Sequence, residues 1–269
     1  MHIIRFSDEN DEQRYGHNYQ GDMATLLEGQ LFNEPLEDTG REIRVKKLLA
    51  PIQPTAILCI GLNYREHARE TGTDLPKYPV LFMKNPAAVN HPGDPIVLER
   101  SCLEPPEVDY EAELAVVIGK PAKDVPAAKA FDYVAGYTAA NDVSARRWQK
   151  HAGAGQWVRG KSFDTFCPLG PELITPDEIP DPQTLQLRCI LNNEIMQDSN
   201  TSDMIFPVPE LIEYLSGGMT LLPGTVILTG TPSGVGFTRK PPVFLKPGDV
   251  VEVAVGHIGR LINPVISGK

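Results

Sequence analysis

The stretch Glu107–Gly119 (Glu-Val-Asp-Tyr-Glu-Ala-Glu-Leu-Ala-Val-Val-Ile-Gly) alternates acidic and apolar residues through its first half. Successive side chains of a strand point to opposite faces, so Val108, Tyr110, Ala112, Leu114, Val116 and Ile118 form one apolar stripe. Glu107, Asp109, Glu111 and Glu113 fall on the other face, followed by Ala115 and Val117. Carboxylates two positions apart on one face lie within ~7 Å and repel unless a cation sits between them. Two readings follow. The strand is half-exposed with a solvated acidic face, or it runs into the interior and lines a site for a hard divalent cation. No Lys or Thr is interleaved, and the acids give way to small apolar residues midway, which is the pattern of a strand entering a core.

The 269 residues suffice to bury a sizeable core, as one large domain or one plus a small appendage. A net charge of −10, with no basic run, argues against nucleic acid as a partner. No stretch approaches the ~20 apolar residues needed to span a membrane, so no membrane partner is expected. The N-terminus, Met1 to Phe6, leads into acids and has the pattern of neither a signal core nor an Arg-rich transit peptide. Cys59, Cys102, Cys167 and Cys189 are far apart and set among apolar neighbours, which reads as reduced core thiols in the cytoplasm and not as zinc ligands. Twenty-five prolines and 23 glycines mark a turn-rich, β-dominated chain.

Residues 1–50 read as a small β-rich domain of short apolar patches, with Pro51 and Pro54 as a linker to a larger domain over residues 51–269. Beyond the strand Ala56–Ile60, Asn63 is a candidate N-cap for a short helix that stops near Gly72. On it His67 and Glu70 are neighbours, either a solvated surface pair or a base oriented by a carboxylate. The following Thr71–Pro79 has the composition of a hinge. Asp142 ends the small apolar run from Val134, and either caps a helix beginning at Val143 or Ser144 or is a third oxygen ligand. That helix continues through Arg146–Lys150 and ends over residues 151–155. Lys161, between Gly160 and Phe163, sits in an aromatic setting where a desolvated ammonium stabilises anions strongly, although Asp164 is an available structural partner. Residues 186–197 form a hairpin about Asn192-Asn193, and residues 208–215 a helix. The loop Gly230–Gly236 after the strand at Val226 lacks the Lys-Ser/Thr end of a phosphate cradle and offers instead N–H groups and Thr231 to a carboxylate. The last strand, Leu261–Ile266, is read as an edge.

Five stretches in order, Gly61–His67, Asp109–Leu114, Asn141–Arg146, Gly160–Phe166 and Leu228–Pro232, resemble the fumarylacetoacetate hydrolase family. The runs Arg159–Gly170 and Lys240–Lys246 are most similar to its domain-containing protein 2 branch. The resemblance implies a β-rich α+β fold, a mixed-sheet β roll paired as a homodimer. It also implies Mg²⁺ or Mn²⁺ on Glu111, Glu113 and Asp142, His67 with Glu70 as the catalytic dyad, and Lys161 as the catalytic lysine. Gln149, Thr231 and Tyr64 are then substrate-binding. Leu62 departs from members that cleave acylpyruvates and carry Arg there. The expected activity is hydrolysis of a C–C bond in a 2,4-dioxo acid through a pyruvate enolate held on the metal. Oxaloacetate tautomerisation or decarboxylation by the same residues is the alternative, and a non-catalytic metal-binding scaffold is the third.

Overall fold

The computed structural model describes residues 1–151 and 154–268. Residues 1–50 supply β1 (His2–Ser7), β2 (Gln13–Gln20), β3 (Met23–Glu28), β4 (Glu37–Arg44) and β5 (Lys47–Leu49). Next come β6 (Ala56–Gly61), α1 (Arg65–Thr71), β7 (Val80–Lys84), β8 (Val89–Asn90), β9 (Ile96–Leu98), β10 (Val108–Asp109) and β11 (Ala112–Ile118). They are followed by β12 (Val134–Asn141), β13 (Ser144–Ala145), α2 (Arg146–Lys150), α3 (Val158–Lys161) and β14 (Cys167–Ile174). The chain ends with β15 (Gln186–Leu191), β16 (Glu194–Asn200), α4 (Val208–Ser216), β17 (Thr225–Leu228), β18 (Val250–Val255) and β19 (Gly259–Ser267).

A long sheet runs β4-β3-β2-β1-β14-β12-β11-β17-β6-β7, and a second runs β16-β15-β18-β19-β9. Most pairings are antiparallel, but β17–β6, β14–β8 and β19–β9 are parallel, which makes the fold a mixed-sheet β roll with few helices. The N-terminal meander holds a small core of its own, Ile4, Phe6, Ala24 and Val45. Its β1 joins β14, and Ile3, Leu27 and Ala50 pack into the same cluster as Ile57 and Val117.

The acidic stretch breaks at Tyr110–Glu111 into β10, paired with β13, and the central strand β11, paired with β12 and β17. Every residue from Glu107 to Ile118 is buried, which overturns the solvated-face reading. The alternation holds across the break: the even-numbered stripe enters the larger core, while Ala115 and Val117 enter the second. Burying both faces of a strand near the middle of the sheet leaves Glu111 and Glu113 with no route to bulk water except a cavity.

Several local expectations need correction. Tyr64, not Asn63, is the N-cap of α1. The Asn63 amide is drawn inward instead, donating to Thr229 O and Phe206 O and accepting from Phe206 N. The helix does stop at Gly72, left-handed at φ 64°. Asp142 caps nothing, since α2 begins four residues later behind Ala145. The helix end expected over residues 151–155 falls partly outside the described residues. Strand β19 is interior, held between β18 and β9, so it is not an edge. The hairpin at Asn192-Asn193 forms as read, with both residues at positive φ, the geometry that suits the twist of its strands.

Candidate active site

Strand β11 with Glu111 just before it, α1, α2 and α3 converge on a cavity of about 580 Å³. His67, Glu70, Glu111, Glu113, Gln149, Lys161 and Thr231 line it. One oxygen from each of Glu111, Glu113 and Asp142 lies within 4.8 Å of the others, and all three residues are buried. The chain makes this cluster from two separate segments, because Asp142 N donates to Glu111 O (2.9 Å) where β12 leaves its pairing with β11.

Charge in the cluster is only partly answered. Lys161 Nζ donates to Glu111 Oε2 (2.8 Å) and Asp142 Oδ2 (2.8 Å). Lys84, wholly buried, donates to Asp142 Oδ1 (2.5 Å) and Val143 O (3.1 Å). Arg146 reaches Glu111 Oε1 (2.6 Å) and holds Asp109 Oδ2 through Nη2 (2.7 Å) and Nε (2.9 Å). Asp109 is fixed in turn by the N–H groups of Gly236 (2.7 Å) and Phe237 (3.0 Å). Burial alone would raise the Glu111 pKa, yet Lys161 and Arg146 bring it down to about 2. Burial alone would lower that of Lys161, yet Asp142 and Glu111 hold it above the usual lysine value, so the group is an ammonium at neutral pH. Glu113 is the exception. Its only hydrogen-bond donor among the described residues is Gly230 N–H (2.7 Å), and burial with the charges of Asp142 and Glu111 pushes it well above the carboxylate range. Gly230 can make that contact because it takes φ +100°, and a Cβ there would stand 2.7 Å from Asn63 Cβ.

Three buried carboxylates, one of them without a counter-cation, form an all-oxygen donor set that fits a divalent cation. Glu107, which shares the acidic face in sequence, is not part of it; its carboxylate pairs with Arg147 (3.1 Å).

Helix α1 covers the cluster. His67 Nδ1 is 2.9 Å from Glu70 Oε2, and Glu70 Oε1 accepts from Gly234 N (2.9 Å) and Thr238 Oγ1 (2.9 Å). Burial would raise the Glu70 pKa, but His67, Gly234 and Thr238 bring it below the usual carboxylate value. A carboxylate on Nδ1 keeps the proton there and leaves Nε2 as the basic nitrogen. Gln149 Oε1 accepts from Arg146 (3.1 Å), while its Nε2 has no partner among the described residues. A Cβ on Gly160 would stand 2.4 Å from Gln149 N, so only glycine lets α3 pack close enough to α2 to bring Lys161 and Gln149 to one cavity. Thr231 Oγ1 donates to Ala112 O (2.9 Å) and accepts from Gln197 Nε2 (2.8 Å), so its proton must turn before it can bind a carboxylate.

Tyr64 does not belong with these residues. Its side chain is fully buried, its hydroxyl has no partner among the described residues, and it is absent from the cavity wall. As the residue at the N-terminus of α1, bridged to Met204, it packs in the core. Lys84, Arg146 and Asp109 were missed as site residues. For Lys84 a signal existed, because it is in phase with Val80 and Phe82, both of which line the cavity.

A β roll whose central strand delivers buried carboxylates beside a histidine–glutamate dyad defines an enzyme. The chain belongs to the fumarylacetoacetate hydrolase family: residues 56–266 match the model described as fumarylacetoacetate (FAA) hydrolase C-terminal. It is 50% identical over 219 residues to the mitochondrial oxaloacetate tautomerase FAHD2A of Bos taurus, spanning 81% of this chain and 69% of that protein. It is 48% identical over 228 residues to the fumarylacetoacetate hydrolase domain-containing protein 2 homolog of Dictyostelium discoideum, spanning 81% and 74%. Among solved structures, 5-carboxymethyl-2-hydroxymuconate delta-isomerase from Mycobacterium smegmatis matches with a TM-score of 0.86 and 38% identity over the whole of both chains. Fumarylacetoacetate hydrolase from Exiguobacterium antarcticum matches with a TM-score of 0.87 and 35% identity, again over the whole of both. The non-catalytic scaffold reading has no support in this setting.

Proposed function

We propose that the protein interconverts the enol and keto forms of oxaloacetate. The observation that carries this choice is the likeness to oxaloacetate tautomerases at about half identity over four-fifths of the chain. It displaces hydrolysis of an acylpyruvate as the leading reading.

Glu111, Glu113 and Asp142 would hold Mg²⁺ or Mn²⁺, which when bound supplies a Lewis acid for negative charge on substrate oxygens. The chain's own residues do the rest. Gln149 Nε2 and the Thr231 hydroxyl orient the 2-oxo acid. In the keto-to-enol direction the C3–H bond breaks, its proton goes to His67 Nε2, and its electron pair forms the C2–C3 double bond. The C2 oxygen takes the charge next to the Lys161 ammonium, then takes the proton from His67 Nε2, which completes the enol and restores the base. Glu70 stabilises the imidazolium that His67 becomes. No water is consumed. Lys161 serves as a fixed cation and not as a base, because two carboxylates keep it protonated.

Acylpyruvate hydrolysis is the second reading, favoured by the apolar part of the wall. Ile60, Leu62, Val80, Phe82 and Trp157 leave space beyond what a four-carbon acid fills. An ultraviolet assay with Mg²⁺ tests both: loss of enol-oxaloacetate absorbance faster than the buffer rate is expected. Cleavage of an acylpyruvate without tautomerase activity would replace the proposal, and pyruvate as the sole product from oxaloacetate would make the enzyme a decarboxylase.

Pairing of two copies belongs to the same proposal. Leu81 and Met83 are exposed on edge strand β7, with Leu75 and Tyr78 exposed just before it. Residence in the cytoplasm is likewise proposed from four cysteines that are all buried and free, although the relatives named above include mitochondrial proteins.

A further inference from the structure

The cations that line the cavity are not equivalent. Arg146 is bound to Asp109 and Glu111, Lys161 to Glu111 and Asp142, and His67 to Glu70. Lys150 lines the same cavity, and among the described residues no carboxylate lies within ion-pair distance of it. Its ammonium instead sits 3.8 Å from the centroid of the Phe237 ring, which also contacts the Arg146 guanidinium (4.5 Å) and is anchored through its own N–H to Asp109. A ring face attracts a cation but takes up no directed hydrogen bond from it, so the three N–H donors of Lys150 remain available. Lys150 follows Arg146 by four residues on α2, one turn along the same side, with Gln149 beside it. Lys150 is exposed, as a solvated surface lysine would be, but that explanation leaves open why, among the described residues, the one cation of the cavity wall without a carboxylate partner rests on an aromatic ring.

We propose that Lys150 receives the second, distal carboxylate of the substrate and makes the site selective for dicarboxylate over monocarboxylate 2-oxo acids. The inference rests on the reading that a 2-oxo acid binds at the carboxylate cluster, and it adds the residue that selects for a second carboxylate on that acid. With the 2-oxo end held at the cluster and Gln149, the distal carboxylate of a four-carbon diacid would meet the same cavity wall, on which Lys150 is, among the described residues, the cation without a carboxylate partner.

The test is calorimetric titration of Mg²⁺-loaded protein with oxaloacetate and with 2-oxobutyrate, its counterpart carrying a methyl in place of the distal carboxylate. Oxalate serves as a probe of the 2-oxo acid end alone. Wild type is expected to prefer oxaloacetate. Lys150→Gln should weaken oxaloacetate by about 10- to 100-fold, the loss of one charge-assisted hydrogen bond, while 2-oxobutyrate and oxalate bind as before. Lys150→Arg should keep most of the preference. Equal weakening of all three ligands, no weakening at all, or no preference in wild type overturns the proposal. The two readings fail separately. A Lys150-dependent preference without turnover of enol-oxaloacetate sinks the tautomerase and leaves the receptor, whereas turnover with an unchanged KM in Lys150→Gln sinks the receptor alone.

Discussion

The Lys84 ammonium lies 2.5 Å from Asp142 Oδ1, with both side chains wholly buried, and ties edge strand β7 to the turn that follows β12. The pair sets the position of the one carboxylate in the cluster that comes from outside the acidic strand. Removing one partner of a buried ion pair leaves the other charge uncompensated at a cost of about 3–5 kcal/mol. Asp142 keeps Lys161, so Lys84→Met should cost about 3 kcal/mol, near the lower end of that range. Chemical denaturation of metal-free protein measures it. A loss under about 0.5 kcal/mol, the scale of an ordinary surface substitution, would mean the pair does not hold Asp142.

Glu113 should behave in the opposite way. Its carboxylate lacks a cation and faces two like charges, so neutralising it relieves repulsion in the metal-free protein. Glu113→Gln is therefore expected to melt no lower than wild type without metal, and to lose the rise in Tm that Mg²⁺ gives wild type. A ligand at 100 times its Kd stabilises by about 2.7 kcal/mol, a shift that differential scanning fluorimetry reads easily. An equal Mg²⁺-induced rise in both proteins removes Glu113 from the metal site.

The contrast between these two residues shows how far the sequence reaches. Glu111 and Glu113 were legible because a period of two places them on one face, and that period survives the break at Tyr110–Glu111. His67 and Glu70 were legible because helical spacing alone brings them together. The cations that answer the acids were not, because their contacts are long-range: Lys84 and Asp142 are 58 positions apart, and Asp109 and Arg146 are 37 apart. Tyr64 entered the expected site through the stretch Gly61–His67 that carries the resemblance. It lies beside residues of the site, but the start of α1 turns it into the core, and Asn63, a plausible cap by type, spends its amide on Thr229 and Phe206.

Glu70→Gln separates orientation of the base from closure of the helix. Gln keeps an oxygen for Gly234 N–H and Thr238 but presents an amide nitrogen to His67 Nδ1. That donor forces the proton onto Nε2, the tautomer that cannot accept from substrate. kcat for enol-oxaloacetate should fall about 10²–10⁴-fold, the usual worth of a positioned base, with KM changed much less. His67→Ala should fall equally far. Near wild-type kcat in both variants would reduce the dyad to a tether for α1.

His91 gives the fold a pH dependence away from the cavity. Its Nδ1 accepts the Ala50 N–H at 3.0 Å, joining the turn after β8 to the end of the N-terminal meander. Burial lowers its pKa below the ordinary imidazole value of about 6.5, with Asp94 only partly opposing. The unfolded chain thus binds this proton more readily than the folded one, and stability must rise with pH across the interval between the two values. The contribution is complete above about pH 6.5 and is lost as pH falls through the lower, folded pKa. Protonation also turns Nδ1 from an acceptor into a donor facing Ala50 N–H. His91→Gln, titrated in urea at a series of pH values between about 5 and 7.5, should therefore show a shallower fall in stability on acidification than wild type, since glutamine does not titrate there. Parallel curves for the two proteins would place the acid sensitivity elsewhere.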